Sequence, residues 1–296
     1  MSGEILAVIT ALTFAVSIII LRRAVIQVTD ATAGTIITIP IILLFITIIL
    51  TIIGQIDSVF SFSWQSYLWF SSAGIVHHLV GRSLSYNSVR LVGANVTSVM
   101  RRIQPLVTVI LGISILGEAL TWQLIVGVLL IVCGITVAGV APEDFRSGRN
   151  LFSGIPRRAI LFGFGNGLAW GISPILVKMG LRGSDSPMGG LLIALLAATI
   201  TSSILLYNPN TRAALAGITL RAVSLFFIVA VIEGAALLAR YTALSIAPAS
   251  VVEPLVSTSP ILIIILSFLF NRNLEVFSKP INVGIIAVAA GSILLI

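Results

Sequence analysis

Six charged side chains fall inside stretches of sequence that are otherwise apolar: Arg82, Arg101, Arg102, Arg240, Glu233 and Glu253. A charge at the centre of a membrane-buried helix costs about 2.5–3.5 kcal/mol on insertion scales, so each needs a partner, a ligand or a way out to water. Arg101 and Arg102 lie eleven and twelve residues into the apolar run 91–116, too deep to reach either end. Adjacent helical residues point about 100° apart, so at least one of the two faces the protein interior. Two roles suit a guanidinium there: a structural tie to Glu233 or Glu253, or a planar fork for a carboxylate or similar anionic group of a solute. Arg82 and Arg240 lie four residues from the end of their runs. They can snorkel to the headgroups or serve inside. Glu233 and Arg240 share a helix face but stand about 10 Å apart along the axis, too far for direct contact.

His78 and Arg82, four apart, also share a face. Histidine titrates near neutral pH, so His78, Glu233 and Glu253 are the candidates for proton coupling. For His78 the alternative is a satisfied core histidine. The His77-His78 pair lacks metal-ligand spacing, and Cys133 adds no clustered ligand. No metal site or cofactor is expected. Glu253-Pro254 is followed by Ser257-Thr258-Ser259-Pro260. Proline removes a backbone donor and clashes with the preceding turn. The segment is expected either to break around a cavity, leaving carbonyls unpaired, or to kink simply. Asn95, Asn166, Tyr86, Tyr241 and Trp170 can supply hydrogen bonds and an aromatic wall.

The elements that carry these groups are membrane helices. Of 296 residues, 58% are hydrophobic and 9% charged, against about 25% charged in soluble domains. A span needs roughly 20 apolar residues. Ten runs qualify: 4–21, 33–53, 65–86, 91–116, 121–140, 158–179, 188–207, 220–244, 249–270 and 277–296. Runs such as Ile36–Ile53 are continuously apolar, which argues against the alternating strands of a barrel. The formal net charge of +7 is dispersed between runs, so it is no nucleic-acid footprint. Arg22 and Arg23 follow the first run rather than precede it, unlike a secretory signal. Cys133 alone can form no intrachain disulfide and says nothing of compartment.

The two halves resemble each other. A shift of 155 aligns Tyr86 with Tyr241, Ala94 with Ala249, Ser98 with Glu253 and Pro105 with Pro260. A shift of 157 aligns Gly127 with Gly284 and Gly134 with Gly291. A shift of 156 pairs Phe14 with Trp170, Ser17 with Ser173 and Arg22 with Lys178. Residues 1–141 and 158–296 are therefore read as two five-helix repeats joined by a connection at 142–157. Five spans per half is odd, so the second repeat should lie inverted, as in many secondary transporters with a midplane site at the repeat interface.

The stretch Leu116-Gly117-Glu118-Ala119-Leu120-Thr121, followed by Gln123, Gly127 and Gly134, resembles the end of an EamA-type repeat of the drug/metabolite transporter superfamily. Arg90-Leu91-Val92-Gly93-Ala94, leading to Arg101-Arg102 and Pro105, is similar to the preceding helix of such a repeat. Trp170-Gly171 with Ser173 and Lys178 is similar to the first. The second half departs from the pattern with Phe270-Asn271-Arg272-Asn273-Leu274-Glu275 where Leu-Gly-Glu is expected. The resemblance implies ten transmembrane helices, a multi-pass place in the plasma membrane, and transport of amino acids or related metabolites, often outward. It also implies that both termini lie inside. The basic residues argue the reverse: eleven lie in or beside the odd connections, against Lys178 and Arg182 in the even ones.

Function classes separate on the same residues. A secondary carrier for a small anionic or zwitterionic solute fits four interior arginines against two glutamates. Efflux of lipophilic cations needs acids and aromatics to dominate. An intramembrane metalloprotease needs His-Glu-x-x-His and an ATP motor needs a phosphate-binding loop; neither motif occurs. A structural membrane protein would show no solute flux. The reading is a carrier, not an enzyme, whose partners are the solute and the bilayer. Arg101, Arg102, Glu253, Glu233, Asn95, Tyr86 and Trp170 are its candidate solute contacts.

Overall fold

A computed structural model describes residues 2–138, 155–184, 186–262 and 279–296, and among them every regular element is helical. The elements are α1 (Gly3–Val25), α2 (Thr32–Ile52), α3 (Trp64–Gly74), a π-helical segment (Ile75–Gly81), α4 (Arg82–Met100) and α5 (Ile103–Leu111). A second π segment (Gly112–Leu116), α6 (Trp122–Ala138), α7 (Arg157–Leu181), α8 (Pro187–Ser202), α9 (Pro209–Ala216), α10 (Leu220–Ile246), α11 (Ala249–Val256) and α12 (Lys279–Leu295) follow. Serine and threonine caps start several of them: Ser63, Ser186 and Thr219 each accept a hydrogen bond from the first turn. Among the described residues, five helices are long and apolar enough to cross a membrane: α1, α2, α7, α10, and α8 with its extension to Tyr207. Leu44, Ile48 and Ile52 on α2 and Ile286 and Ile293 on α12 are exposed. Such apolar outer surface suits lipid, not water.

The third and fourth apolar runs show no break between them, because helix is continuous from Arg82 to Met100. That helix is not straight. Ser88 Oγ and Thr97 Oγ1 are 2.9 Å apart, whereas nine residues of straight helix would separate them by about 13 Å. The fourth run is instead interrupted at Arg101-Arg102. Pro105 has no N–H to give the Arg101 carbonyl, which accepts from Gln104 N at 2.9 Å in a tighter turn. Pro260 acts alike: α11 stops at Val256, and Ile261 N donates to Thr258 O at 2.9 Å. The break expected at Glu253-Pro254 therefore comes later, and Pro254 stays inside α11. Residues 263–278, with the departure at Phe270–Glu275, lie outside the described residues, as does most of the 142–157 connection.

The halves pack reciprocally. α1 lies on α10 as α7 lies on α3 and α4; α1 touches α11 as α7 touches α5. α2 meets α8, and α6 meets α12. The last pair is antiparallel and close. A side chain on Gly127 would strike Leu295 at 2.8 Å, and one on Gly134 would strike the Gly284 carbonyl at 2.8 Å. Outside the spans, Asp30 accepts from Thr32 N at 3.0 Å and from Thr211 Oγ1 at 2.6 Å, tying the α1–α2 turn to α9. Burial alone would raise its pKa; the bonds from Thr211 and Thr32, with Arg90 nearby, outweigh it and hold the carboxyl below its usual value.

Candidate functional site

Where α1, α4, α7 and α10 converge on the two helix breaks they enclose a cavity of about 840 Å³, its open mouth included. Phe14, Arg82, Tyr86, Arg101, Gln104, Trp170, Glu233 and Arg240 line it. Lining thus comes from spans one and six as well as from the charged ones, and the repeat partners Phe14 and Trp170 both serve.

The glutamates pair with Arg82 and Arg240, not with Arg101 or Arg102. Arg82 Nη1 is ion-paired to Glu233 Oε2, joining the halves, and also donates to Thr38 Oγ1 at 3.2 Å and Tyr86 Oη at 3.3 Å. Ser17 Oγ donates to Glu233 Oε1 at 3.2 Å. Arg240 Nε donates to Glu253 Oε1 at 2.7 Å, and Gln104 Nε2 donates to Glu253 Oε2 at 3.1 Å. Arg82 is 4% exposed and Arg240 1%. Neither snorkels, because a buried carboxylate replaces the water that a snorkelling head seeks.

Arg101 is placed differently. Its guanidinium carbon lies 4.9 Å from the centre of the Trp170 ring, a cation–π distance. Among the described residues it has no carboxylate partner. Arg102 does not line this cavity but a smaller adjoining recess, shared with Arg101 and Gln104 and bounded by Pro105, Val132 and Ile135, where its Nε and Nη1 are buried without a hydrogen-bond partner among the described residues.

Trp170 is fixed by the π segment. Such wide turns recur at functional sites. Here the His77 carbonyl accepts both the Arg82 N–H and Trp170 Nε1, the latter at 3.0 Å. One turn earlier on α7, Asn166 Nδ2 donates to Gly81 O at 2.9 Å. The His77 ring stacks on Trp170 with centroids 5.2 Å apart. Each histidine also touches one paired arginine: His78 Nδ1 lies 3.5 Å from Arg82 Nη2, and His77 Nδ1 lies 3.4 Å from Arg240 Nη1. A Cβ on Gly81 would sit 2.3 Å from Trp170 Cδ1. Gly81→Ala is therefore expected to displace the indole and cost about 1–3 kcal/mol, read as a lowered Tm. Gly165→Ala, which would meet only Leu84 at 3.1 Å, should cost little.

Of the remaining sequence candidates, Tyr86 is buried beside Arg82. Tyr241 is buried with no hydrogen-bond partner for its hydroxyl among the described residues. The Asn95 side chain lies outside the described residues. Sequence reasoning passed over His77, Gln104, Thr38 and Ser17 as site groups. For Ser17 the signal existed, since it repeats as Ser173.

Comparison with curated proteins gives no match. One solved crystal structure superposes on 99% of this chain and 94% of its own with a TM-score of 0.75 at 15% identity, a likeness of fold alone. The EamA-like transporter family matches twice, over residues 1–140 and 157–296, each half of the chain forming one repeat around this charged cavity. The chain therefore belongs to the EamA-like transporter family and is a multi-pass membrane transporter of the drug/metabolite superfamily.

Proposed function

We propose that the chain is a secondary carrier in the cell membrane that moves a small carboxylate-bearing metabolite, an amino acid or related anionic or zwitterionic solute, by alternating access. The observation that carries this reading is the charge balance of the cavity. Arg82 and Arg240 are each neutralised by a glutamate, while Arg101 faces the same space beside the Trp170 ring, with no carboxylate partner among the described residues. A solute carboxylate supplies what that guanidinium lacks, bidentately. A lipophilic cation would need a free carboxylate, and Glu233, which lines the cavity, and Glu253, buried behind Arg240, are both held by arginines. Ten spans in two inverted repeats are part of the proposal. The antiparallel α6 and α12 and the reciprocal packing of the halves support them. Outward transport rests on the family likeness alone. Glu233, Glu253 and His78 are the groups through which a proton gradient could act; otherwise the solute gradient suffices.

Purified carrier in proteoliposomes, preloaded with unlabelled solute, tests the reading by counterflow. Radiolabelled neutral and acidic amino acids are compared with tetraphenylphosphonium. Carboxylate uptake above that of empty liposomes is expected. Tetraphenylphosphonium exchange without carboxylate exchange would replace the reading with cation efflux.

A further inference from the structure

The cavity is shut off toward the start of α1 and in the other direction reaches the half-buried Val89. Along α1 it runs past Ile18 and Leu21, with Val89 opposite. The other way, from Phe14 back to Gly3, α1 covers about 16 Å. Over that length Ala7, Thr10 and Ala11 are fully buried, and α1 packs along α10. At the far end a side chain on Gly3 would strike Ala247 Cβ at 2.5 Å, so no gap is left.

The turn between α10 and α11 at this closed end is gripped from both halves. Lys178 Nζ donates to Leu244 O at 2.9 Å and to Ala247 O at 3.1 Å. From the first half, the Glu118 carboxylate accepts from Ala249 N at 2.7 Å and from Ser250 N at 2.8 Å. Arg182 answers from the second half, donating to Leu116 O at 3.3 Å. First-turn N–H groups have no partner within their own helix, and a negative charge there also meets the positive end of the helix. Gly117, at φ 71°, makes the turn that aims Glu118 across the halves; only glycine adopts that backbone readily. One turn beyond Ser250, α11 carries Glu253, which holds Arg240 and Gln104 at the cavity wall. A grip on the first turn of α11 is thus a grip on the cavity.

We propose that Glu118 is a positioning residue of the transport cycle. Its carboxylate clasps α11 and keeps this mouth shut, and its release lets the mouth open as the opposite one closes. The proposal rests on alternating access but not on Arg101 or on the identity of the solute, so the two readings fail independently.

The test needs no solute. In a Cys133→Ser background, single reporter cysteines replace Ala243, buried beneath the clasp, or Val89, half-buried at the cavity's other end. The carrier in lipid nanodiscs is then labelled with a water-soluble maleimide. With Glu118 intact, Val89→Cys labels quickly and Ala243→Cys slowly. Glu118→Gln keeps an acceptor for one of the two amides but loses the charge and the second acceptor, a net change of at least about tenfold in the balance. Labelling of Ala243→Cys then rises about tenfold while that of Val89→Cys falls. Glu118→Asp, which keeps the charge but shortens the reach, gives a smaller change in the same directions and serves where the glutamine variant does not fold. If both rates rise together, Glu118 merely holds the fold and the proposal is overturned; unchanged rates overturn it too. A Cβ on Gly112 would lie 3.7 Å from Ser250 Cβ, a separation that suits a disulfide once the end of the side chain at position 118, 2.7 Å from the same Cβ, swings aside. Gly112→Cys with Ser250→Cys in the Glu118→Gln protein should therefore restore slow Ala243→Cys labelling when oxidised and release it when reduced. Fast labelling that persists in the oxidised protein counts against the clasp.

Discussion

Arg82→Met is expected to lower the unfolding free energy in detergent by about 3–5 kcal/mol, and Arg82→Met/Glu233→Met together to recover much of that loss. The reason is asymmetric. Removing the guanidinium strands the Glu233 carboxylate among buried groups, with Ser17 its remaining donor among the described residues. It also takes a donor from Thr38 and Tyr86, so four helices lose a common tie: α1, α2, α4 and α10. Removing both charges takes away the desolvation cost along with the attraction, and two methionines fill comparable volume. Glu233→Gln should fall between, since glutamine keeps an acceptor for the arginine but not the charge. Chemical or thermal melts of the three variants check this. A single variant as stable as the parent would mean that water reaches the pair and that the pair is no tie.

That pairing was beyond reach of the sequence for a specific reason. A helical count at 3.6 residues per turn puts His78 and Arg82 on one face, and the two do touch. But the π turn at Ile75–Gly81 widens the helix just ahead of Arg82, and nothing in the local composition announces it. The distance of Arg82 from the end of its run pointed as much to the membrane surface as to the core. Its partner, 151 residues away, decided the matter. The family mark Leu-Gly-Glu was likewise legible while its contact was not, because the α11 amides that Glu118 meets are 131 residues on.

What the sequence did show came from residues with strong local consequences. Pro105 and Pro260, legible in the sequence as repeat partners, follow the two helix breaks, because proline cannot continue the hydrogen-bond ladder. Gly127/Gly284 and Gly134/Gly291, legible in the sequence as repeat partners, line the seam where α6 meets α12, because glycine permits close approach. Phe14 and Trp170, matched between halves, both reach the cavity wall. Repeats record positions in a fold. They do not record which charge answers which, and here the two ion pairs are unalike: one joins the halves and the other lies within the second.

Arg101 is where the proposed function stands or falls. Arg101→Ala should weaken solute binding by about 2–5 kcal/mol, roughly 30-fold or more, because the carboxylate would lose its unpaired counter-charge in a partly enclosed cavity whose other arginines are already neutralised. Arg101→Lys keeps the charge but not the planar fork, and it loses stacking on Trp170. It should still weaken binding by about tenfold, more than a conserved charge alone suggests. Arg102→Lys should leave affinity nearly unchanged, since Arg102 lines the recess beside α6 rather than the cavity. That contrast between neighbours separates binding from scaffolding. If Arg101 only braces α7 through Trp170, Arg101→Lys lowers Tm while the apparent Kd for a transported carboxylate stays as it was. The guanidinium is then a helix tie, and the solute must be recognised elsewhere in the cavity. If Kd rises for Arg101→Lys and Arg101→Ala in that order while Tm holds, the unpaired charge is kept for the solute, and the buried position that makes it costly is also what makes it selective.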